Sequence, residues 1–313
     1  MSMRVTFLGT SGAVPTTERA PSAVFLSLSP HNEEAIDMLF DAGEGTQRQM
    51  MRFETGFGVS HIFVSHLHGD HVLGIPGLVQ SWEFSDREDP LAIHVPPGCR
   101  EQVEGLVHAA GFQPSYPVRV HEVAPGSVAL DGAGFEVRAF ETNHRTVSQG
   151  YVVVEDDRPG RFDREGAEEL GVPVGPAFGK LHAGEPVELE DGTVVRPEQV
   201  VGDPRPGRRL VYTGDTRPVQ ATVDAAADAD LLIHDATFTN EAAGRARQTH
   251  HSTAREAADV AARAGAKRLA LTHVSSRYAG DASELEREAR RRFDGECFVA
   301  HDGQTVEVPY PDS

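Results

Sequence analysis

Met3, Val5 and Phe7 alternate with Arg4 and Thr6, which predicts a strand over residues 3–8. Residues 22–28 and 38–40 carry the β-branched, aromatic or alternating content of two more strands. Residues 44–53 read as a helix, and residues 61–64 as a short buried strand that runs into a cluster of histidines. Helices are predicted over 72–84 and 100–110, then strands over 118–123, 135–140 and 150–155 with Gly and Pro turns between them. This first half is β-rich and hairpin-like.

Residues 156–208 break the pattern. Arg158-Pro159-Gly160, Gly171-Val172-Pro173-Val174-Gly175-Pro176 and Asp203-Pro204-Arg205-Pro206-Gly207 punctuate them, and few segments show core periodicity. A stretch of about fifty residues without a core reads as a protruding, flexible arm inserted into a single domain spanning 1–313. A small hairpin from residues 187–189 and 193–195 is the most structure expected there. Strand and helix then alternate: strands at 209–212, 231–234, 268–272, 297–300 and 305–308, helices at 219–227, 253–264 and 283–293. Strands with intervening helices in two halves predict an α/β protein whose sheets pack together with helices outside.

With 313 residues, the chain can bury a substantial core. The two cysteines, Cys99 and Cys297, lie far apart, which argues against a disulfide framework or a cysteine metal site and fits a reducing cytoplasm. No apolar run approaches the ~18 residues of a membrane span, and the apolar stretch before Gly9 is too short for a signal peptide. The formal net charge is −19, and of 29 basic residues only Lys180 and Lys267 are lysine. Strong acidity with little lysine suits a cytoplasm of molar salt, where charges are screened over ~3 Å.

Ser65-His66-Leu67-His68-Gly69-Asp70-His71 packs three histidines and an aspartate into six positions. His66 and His68, two apart at a strand end, can face the same way. Asp70 and His71 follow where the next helix begins and approach from a second direction. Two pairs aimed differently are what two adjacent metal ions need, and imidazole with carboxylate suits Zn²⁺ or Mn²⁺. Further ligand-type residues sit just past predicted strands: His144 in Thr142-Asn143-His144, Asp215 in Tyr212-Thr213-Gly214-Asp215, and His273 after Thr272. Asp41 also ends a strand, but the reading favoured for it is a turn held by side-chain to backbone bonds, not a ligand.

The cluster from His66 to His71, with Asp41-x-Gly43 before it and His144, Asp215 and His273 after it, resembles the metallo-β-lactamase fold. Leu8-Gly9-Thr10, Gly43-Glu44-Gly45-Thr46-Gln47, His234-Asp235-Ala236-Thr237-Phe238, His251-Ser252-Thr253-Ala254 and residues 171–184 narrow the resemblance to the ribonuclease Z family, over residues 3 to 308. The resemblance implies an αββα sandwich of two packed mixed sheets and a zinc-dependent endoribonuclease that trims the 3′ trailer of precursor tRNA. It implies His66, His68 and His144 on one zinc, Asp70, His71 and His273 on the other, and Asp215 bridging both. Asp70 would orient and deprotonate the attacking water, and His251, held by Asp235, would protonate the leaving ribose 3′-oxygen. The products would be a tRNA 3′-hydroxyl and a trailer 5′-phosphate. Two departures stand out: Asp235 replaces the family's usual glutamate, one methylene longer, and the bacterial Pro-x-Lys-x-Arg-Asn loop keeps only Pro15 and Arg19.

A −19 protein that binds a polyanion must rely on shape, backbone amides and a few cations, although molar salt weakens phosphate binding by counterion release in any case. Gly175, Pro176, Gly179 and Lys180 are the expected substrate contacts of the arm, with Arg19 at the cleavage site. Arg158, Arg161 and Arg164 add charge that Glu165, Glu168 and Glu169 dilute. The resemblance also implies a homodimer in which the partner's arm clamps the tRNA elbow. The competing readings are another hydrolase of the same fold, such as a small-molecule phosphodiesterase, and an RNA-binding scaffold with a degenerate site.

Overall fold

The computed structural model describes residues 2–29 and 35–310. They fall into two compact units, Met1–Val154 with Arg208–Ser313 and Glu155–Gly207.

The first unit is built on β1 (Ser2–Gly9), β2 (Ala23–Ser29), β3 (Ile36–Phe40), β4 (Val59–Phe63), β5 (Leu91–Val95), β6 (Val118–Glu122), β7 (Val128–Gly132), β8 (Phe135–Glu141) and β9 (Gln149–Glu155). Its later strands are β10 (Arg209–Tyr212), β11 (Leu231–Asp235), β12 (Arg268–Thr272), β13 (Glu296–Val299) and β14 (Thr305–Glu307). Among the described residues they form two seven-stranded sheets, in the orders β14-β1-β2-β3-β4-β5-β6 and β13-β12-β11-β10-β9-β8-β7. Both sheets are mixed. β1, β2, β3 and β14 pair antiparallel, whereas β3 through β6 run parallel, as do β10 through β13.

Alternate residues of facing strands meet between the sheets, where Met3, Val5, Phe7, Phe40 and Phe63 pack against Tyr151, Leu210, Tyr212 and Ile233. The helices α1 (Thr46–Arg52), α2 (Gly69–Val72), α3 (Ile75–Glu83) and α4 (Arg100–Val107) follow in the first half. Met50, Leu78, Trp82 and Val103 from α1, α3 and α4 cover the outer face of the first sheet. On the outer face of the second sheet lie Val223, Ala257, Val260, Ala261 and Leu285. They come from α7 (Gln220–Ala225), α9 (Ala254–Ala264) and α10 (Ser283–Arg290), with α8 (Ala243–Thr249) between α7 and α9 in the chain. The expected αββα sandwich is the architecture observed.

Three local readings are corrected. The helix expected over 72–84 is broken: the Gly74 N–H donates to the Ala42 carbonyl (2.8 Å) instead of along the helix, and α3 restarts at Ile75-Pro76, whose proline has no N–H to give. The first half is not simply hairpin-like, since β3 to β6 are parallel and need crossovers. β5 was not expected as a strand; buried His94 interrupts its apolar run, and its pairing on both sides supplies what the pattern lacks.

The second unit, Glu155–Gly207, has a small core of its own, contrary to the coreless reading. Ala167, Val172, Leu181, Val195 and Val200 are buried there with Phe162 and Phe178 packed against them. It contains α5 (Arg164–Glu169) and α6 (Pro176–His182), and Val187 pairs with Val195 in the expected hairpin. The apolar residues follow neither a 3.6 nor a 2 period, so pattern reading finds no face to bury.

Candidate metal centre

The functional side chains leave the first unit from the C-terminal ends of strands, where loops present them on one rim. Asp41 follows β3, the 65–71 segment follows β4, Asp215 follows β10, Asp235 ends β11, and His273 follows β12. His144 sits three residues beyond β8. His251 lies just ahead of α9, whose start is fixed by a capping box. Thr253 Oγ1 accepts from Glu256 N–H (3.2 Å), and the Glu256 carboxylate accepts from Thr253 N–H (2.9 Å).

Two donor groups converge. His66 Nε2 and His144 Nε2 lie 2.9 and 3.1 Å from His68 Nδ1. Asp215 Oδ2 lies 3.6 Å from His66 Nε2 and 3.7 Å from His144 Nε2. Beside them, His71 Nε2 and His273 Nε2 approach Asp70 Oδ2 at 3.4 and 3.3 Å. Asp215 faces this group too, with Oδ2 3.4 Å from His71 Nε2 and Oδ1 3.2 Å from His273 Nε2.

The donor set fits divalent ions. Four rings have their far nitrogen engaged, leaving the other to aim at the centre. His66 Nδ1 meets Ser65 Oγ (3.0 Å), His71 Nδ1 meets Asp41 Oδ2 (2.6 Å), His144 Nδ1 meets the His250 carbonyl (3.0 Å), and His273 Nδ1 meets Thr237 Oγ1 (2.9 Å). His71 Nε2 and Asp215 Oδ1 are buried yet make no hydrogen bond among the described residues, as expected of groups whose partner is a cation. Burial lowers the pKa of His66, His68 and His144, so these rings are neutral and able to ligate near pH 7. Burial would raise the Asp70 pKa, but the facing His273 and His71 rings outweigh it and hold the carboxyl ionised. Nitrogen and oxygen donors without thiolate suit zinc or manganese.

Asp41 stands behind this set. Its Oδ1 accepts from Ser65 N–H (2.6 Å), and its Oδ2 accepts from Ser65 Oγ–H and Tyr212 O–H (2.7 Å each) as well as facing His71. These partners are distant in the chain, so Asp41 does not fix its own turn as expected but ties the segment after β4 to β10 and orients His71. Sequence reasoning missed Ser65, Tyr212 and Thr237. Ser65 and Tyr212 were adjacent to the motifs already read, but nothing in the sequence says whose ring or carboxylate they touch.

Asp235 Oδ2 lies 2.9 Å from His251 Nδ1, so the shorter acid spans the gap. It also accepts from Thr216 N–H, Thr237 N–H and Thr237 Oγ–H, which fix its carboxylate against His251. Burial would lower the His251 pKa, but the charge and hydrogen bond of Asp235 lift it to about 9. The centre is held under strain. Asp41, His250, His273 and Ala13 all have φ between +57° and +60°, a region L-residues visit at a cost of about 1–2 kcal/mol. Ala13 uses that geometry to donate its N–H to Asp70 Oδ2 (2.9 Å).

The remaining expected contacts lie elsewhere. Arg19 donates through Nη1 to Thr10 Oγ1 and the Ala300 carbonyl, both at 2.6 Å, and lines a different cleft with Arg48 and Arg52. Its guanidinium holds its own loop in place. In the second unit, Gly175 precedes α6 at φ +140°, a backbone open to glycine, and Pro176 opens the helix. Gly179 and Lys180 fall inside α6, not in a loop of free amides, and all four residues are exposed.

A family model described as the beta-lactamase superfamily domain matches residues 37–161 and 198–274. Ribonuclease Z from Haloferax volcanii is 69% identical over 100% of this chain and 97% of its own length. The chain belongs to the ribonuclease Z family. Ribonuclease Z from Halorubrum lacusprofundi is 67% identical over 100% of this chain and 99% of its own. The crystal structure of the short form of human tRNase Z superposes with a TM-score of 0.69 at 28% identity, covering 98% of this chain and 100% of that one. As a member of the ribonuclease Z family the chain is an endoribonuclease, a phosphodiester hydrolase, and these two relatives are from halophilic archaea. The superfamily match skips residues 162–197, which lie within the second unit.

Proposed function

We propose that this endoribonuclease removes the 3′ trailer of precursor tRNA with two zinc ions per chain, manganese being the alternative. The observation that carries the reading is that His66, His68, His144 and Asp215 form one donor group and Asp70, His71 and His273 another, with Asp215 also 3.4 and 3.2 Å from His71 and His273 and the His251–Asp235 pair beside them. His66, His68 and His144 would hold one ion, and Asp70, His71 and His273 the other, with Asp215 between them. The ions would supply Lewis acidity that polarises the phosphoryl oxygens and makes a nucleophile available near neutral pH.

The chain's own residues supply the positioning and the proton traffic. Asp70, steadied by Ala13 N–H, orients the attacking water and accepts its proton. His251, kept protonated by Asp235, gives its Nε2 proton to the departing ribose 3′-oxygen as the bond from phosphorus to that oxygen breaks. The tRNA leaves with a 3′-hydroxyl and the trailer with a 5′-phosphate.

The second unit is the substrate clamp in this account. Exposed Gly175, Pro176, Gly179 and Lys180 meet the tRNA elbow, contributed by the partner subunit of a homodimer. A cytoplasmic setting accords with Cys99 and Cys297 both being free thiols and buried. Among the described residues no helix is long and apolar enough to cross a membrane.

The test is deletion of residues 158–197. It abolishes single-site cutting of a 3′-extended precursor beside the discriminator base and spares hydrolysis of a small phosphodiester. Equal loss on both substrates contradicts the clamp.

A further inference from the structure

The loop after β8 and the C-terminal end of the helix Ala243–Thr249 are zipped together beside the metal-binding centre. Arg145 Nη2 donates to the Gln248 carbonyl (2.8 Å), and His144 Nδ1 and His250 Nδ1 meet the His250 carbonyl and Asn143 Oδ1, respectively (3.0 and 3.2 Å). The cleft between them, about 380 Å³, is lined by Asp70, His144, Arg145, Thr249 and His251, among others. Arg145 is exposed at this cleft.

A guanidinium carries five N–H donors in a planar fork matched to phosphate. Arg145 commits one nitrogen to Gln248, and no carboxylate pairs with it among the described residues. Arg217 gives both terminal nitrogens to Glu256 and one also to the His251 carbonyl, so its charge is already neutralised. Arg145 follows directly on His144, and successive Cα atoms are only ~3.8 Å apart. An open cation is thus built into the wall of the cleft where the scissile phosphate must sit. On a −19 chain the distant field repels RNA, so a local cation at the reacting phosphate matters more.

We propose that Arg145 grips a non-bridging oxygen of the phosphate being cleaved and positions it against the metal-binding centre. The inference rests on the ribonuclease reading and adds a phosphate-contacting residue to it. The alternative role is to zip these two segments together, and metal content and melting temperature read that role separately from the phosphate contact.

The experiment compares wild type, Arg145→Gln and Arg145→Lys on a 3′-extended precursor tRNA and on bis(p-nitrophenyl) phosphate. Reactions run across a potassium chloride series, with metal content and melting temperature measured in the same salt. Arg145→Gln lowers kcat/KM on both substrates by about ten- to a hundredfold, the loss of one charged hydrogen bond. On the precursor it also makes the plot of log kcat/KM against log salt shallower by about 0.7. Arg145→Lys restores the slope and part of the rate, and metal content and melting temperature stay at wild-type values. An unchanged rate and slope in Arg145→Gln overturns the proposal. So does an equal loss in both variants accompanied by lost metal, which assigns Arg145 to the zip alone. A wild-type protein that cuts no precursor overturns the ribonuclease reading itself, and this inference with it.

Discussion

Replacing Asp41 by asparagine tests how the metal-binding centre is held. The Asp41 carboxylate is buried and receives Ser65 N–H, Ser65 Oγ–H, Tyr212 O–H and the His71 Nδ1 proton on two oxygens. The hydroxyls can rotate and become acceptors; the backbone N–H and a metal-ready His71 cannot. An asparagine that keeps its oxygen toward Ser65 N–H turns its NH₂ toward His71 Nδ1. The ring then shifts its proton to Nε2, the atom aimed at the centre, and His71 is lost as a ligand. The flipped amide sets NH₂ against the Ser65 N–H instead, leaving a buried donor unsatisfied at about 1–3 kcal/mol. Either way the penalty agrees with the ten- to hundredfold loss of metal affinity, about 1.4–2.7 kcal/mol, seen when an outer partner of a ligating histidine is removed. Competition against a chromophoric zinc chelator reads this directly, with Asp41→Ala as the more drastic comparison. Wild-type zinc affinity and an unchanged melting temperature in Asp41→Asn refute the reasoning.

Asp235→Asn and His251→Ala each lower kcat by about 10²–10⁴-fold with full metal content, and the double variant is little worse than either, because the two act as one unit; additive losses in single-turnover assays contradict that coupling. Gly43→Ala weakens zinc binding and costs about 1–3 kcal/mol by overpacking, since a Cβ there would overlap the Asp70 carbonyl oxygen; chelator competition and chemical denaturation check both effects. Acid unfolding of metal-stripped protein follows His61 and His94, which share a 3.0 Å ring contact and whose pKa values burial, followed by neighbouring histidines, lowers to about 4 and about 3 from 6.5. The unfolded chain takes up these protons first, so the pair's contribution is intact above pH 6.5 and is lost as pH falls toward 4 and then 3, a change of a few kcal/mol. A melting temperature flat from pH 7 to 4 contradicts this assignment.

The proposed ligands could be picked out because each is a histidine or aspartate just past a run of strand-forming residues, and the fold brings such strand ends to one rim. His144, Asp215 and His273 are far apart in the chain, yet each obeys that local rule. What the sequence could not supply was pairing across the fold. Thr237 against His273 and Tyr212 against Asp41 are contacts between strands whose order only the sheets reveal. The core of the second unit was hidden for a different reason. Phe162, Ala167, Leu181 and Val195 come from short turns, helices and a hairpin with no common period. The broken helix at Gly74 reflects a tertiary approach of two backbones, which overrides an otherwise helical pattern. Arg19 shows the converse limit: the residue was identifiable, but its inward hydrogen bonds were not.

Metal reconstitution with cleavage as the readout tests whether two bound ions make this chain a precursor-tRNA endonuclease. Protein stripped by chelator is titrated with zinc, and cutting of an end-labelled, 3′-extended precursor tRNA is followed beside elemental analysis. The account predicts no cutting without metal and a single cut beside the discriminator base that rises to a plateau at two ions per chain. It also predicts no site-specific cutting by Asp70→Ala at any zinc concentration. Full cutting by the stripped protein, or two bound ions with no cutting of the precursor, contradicts it.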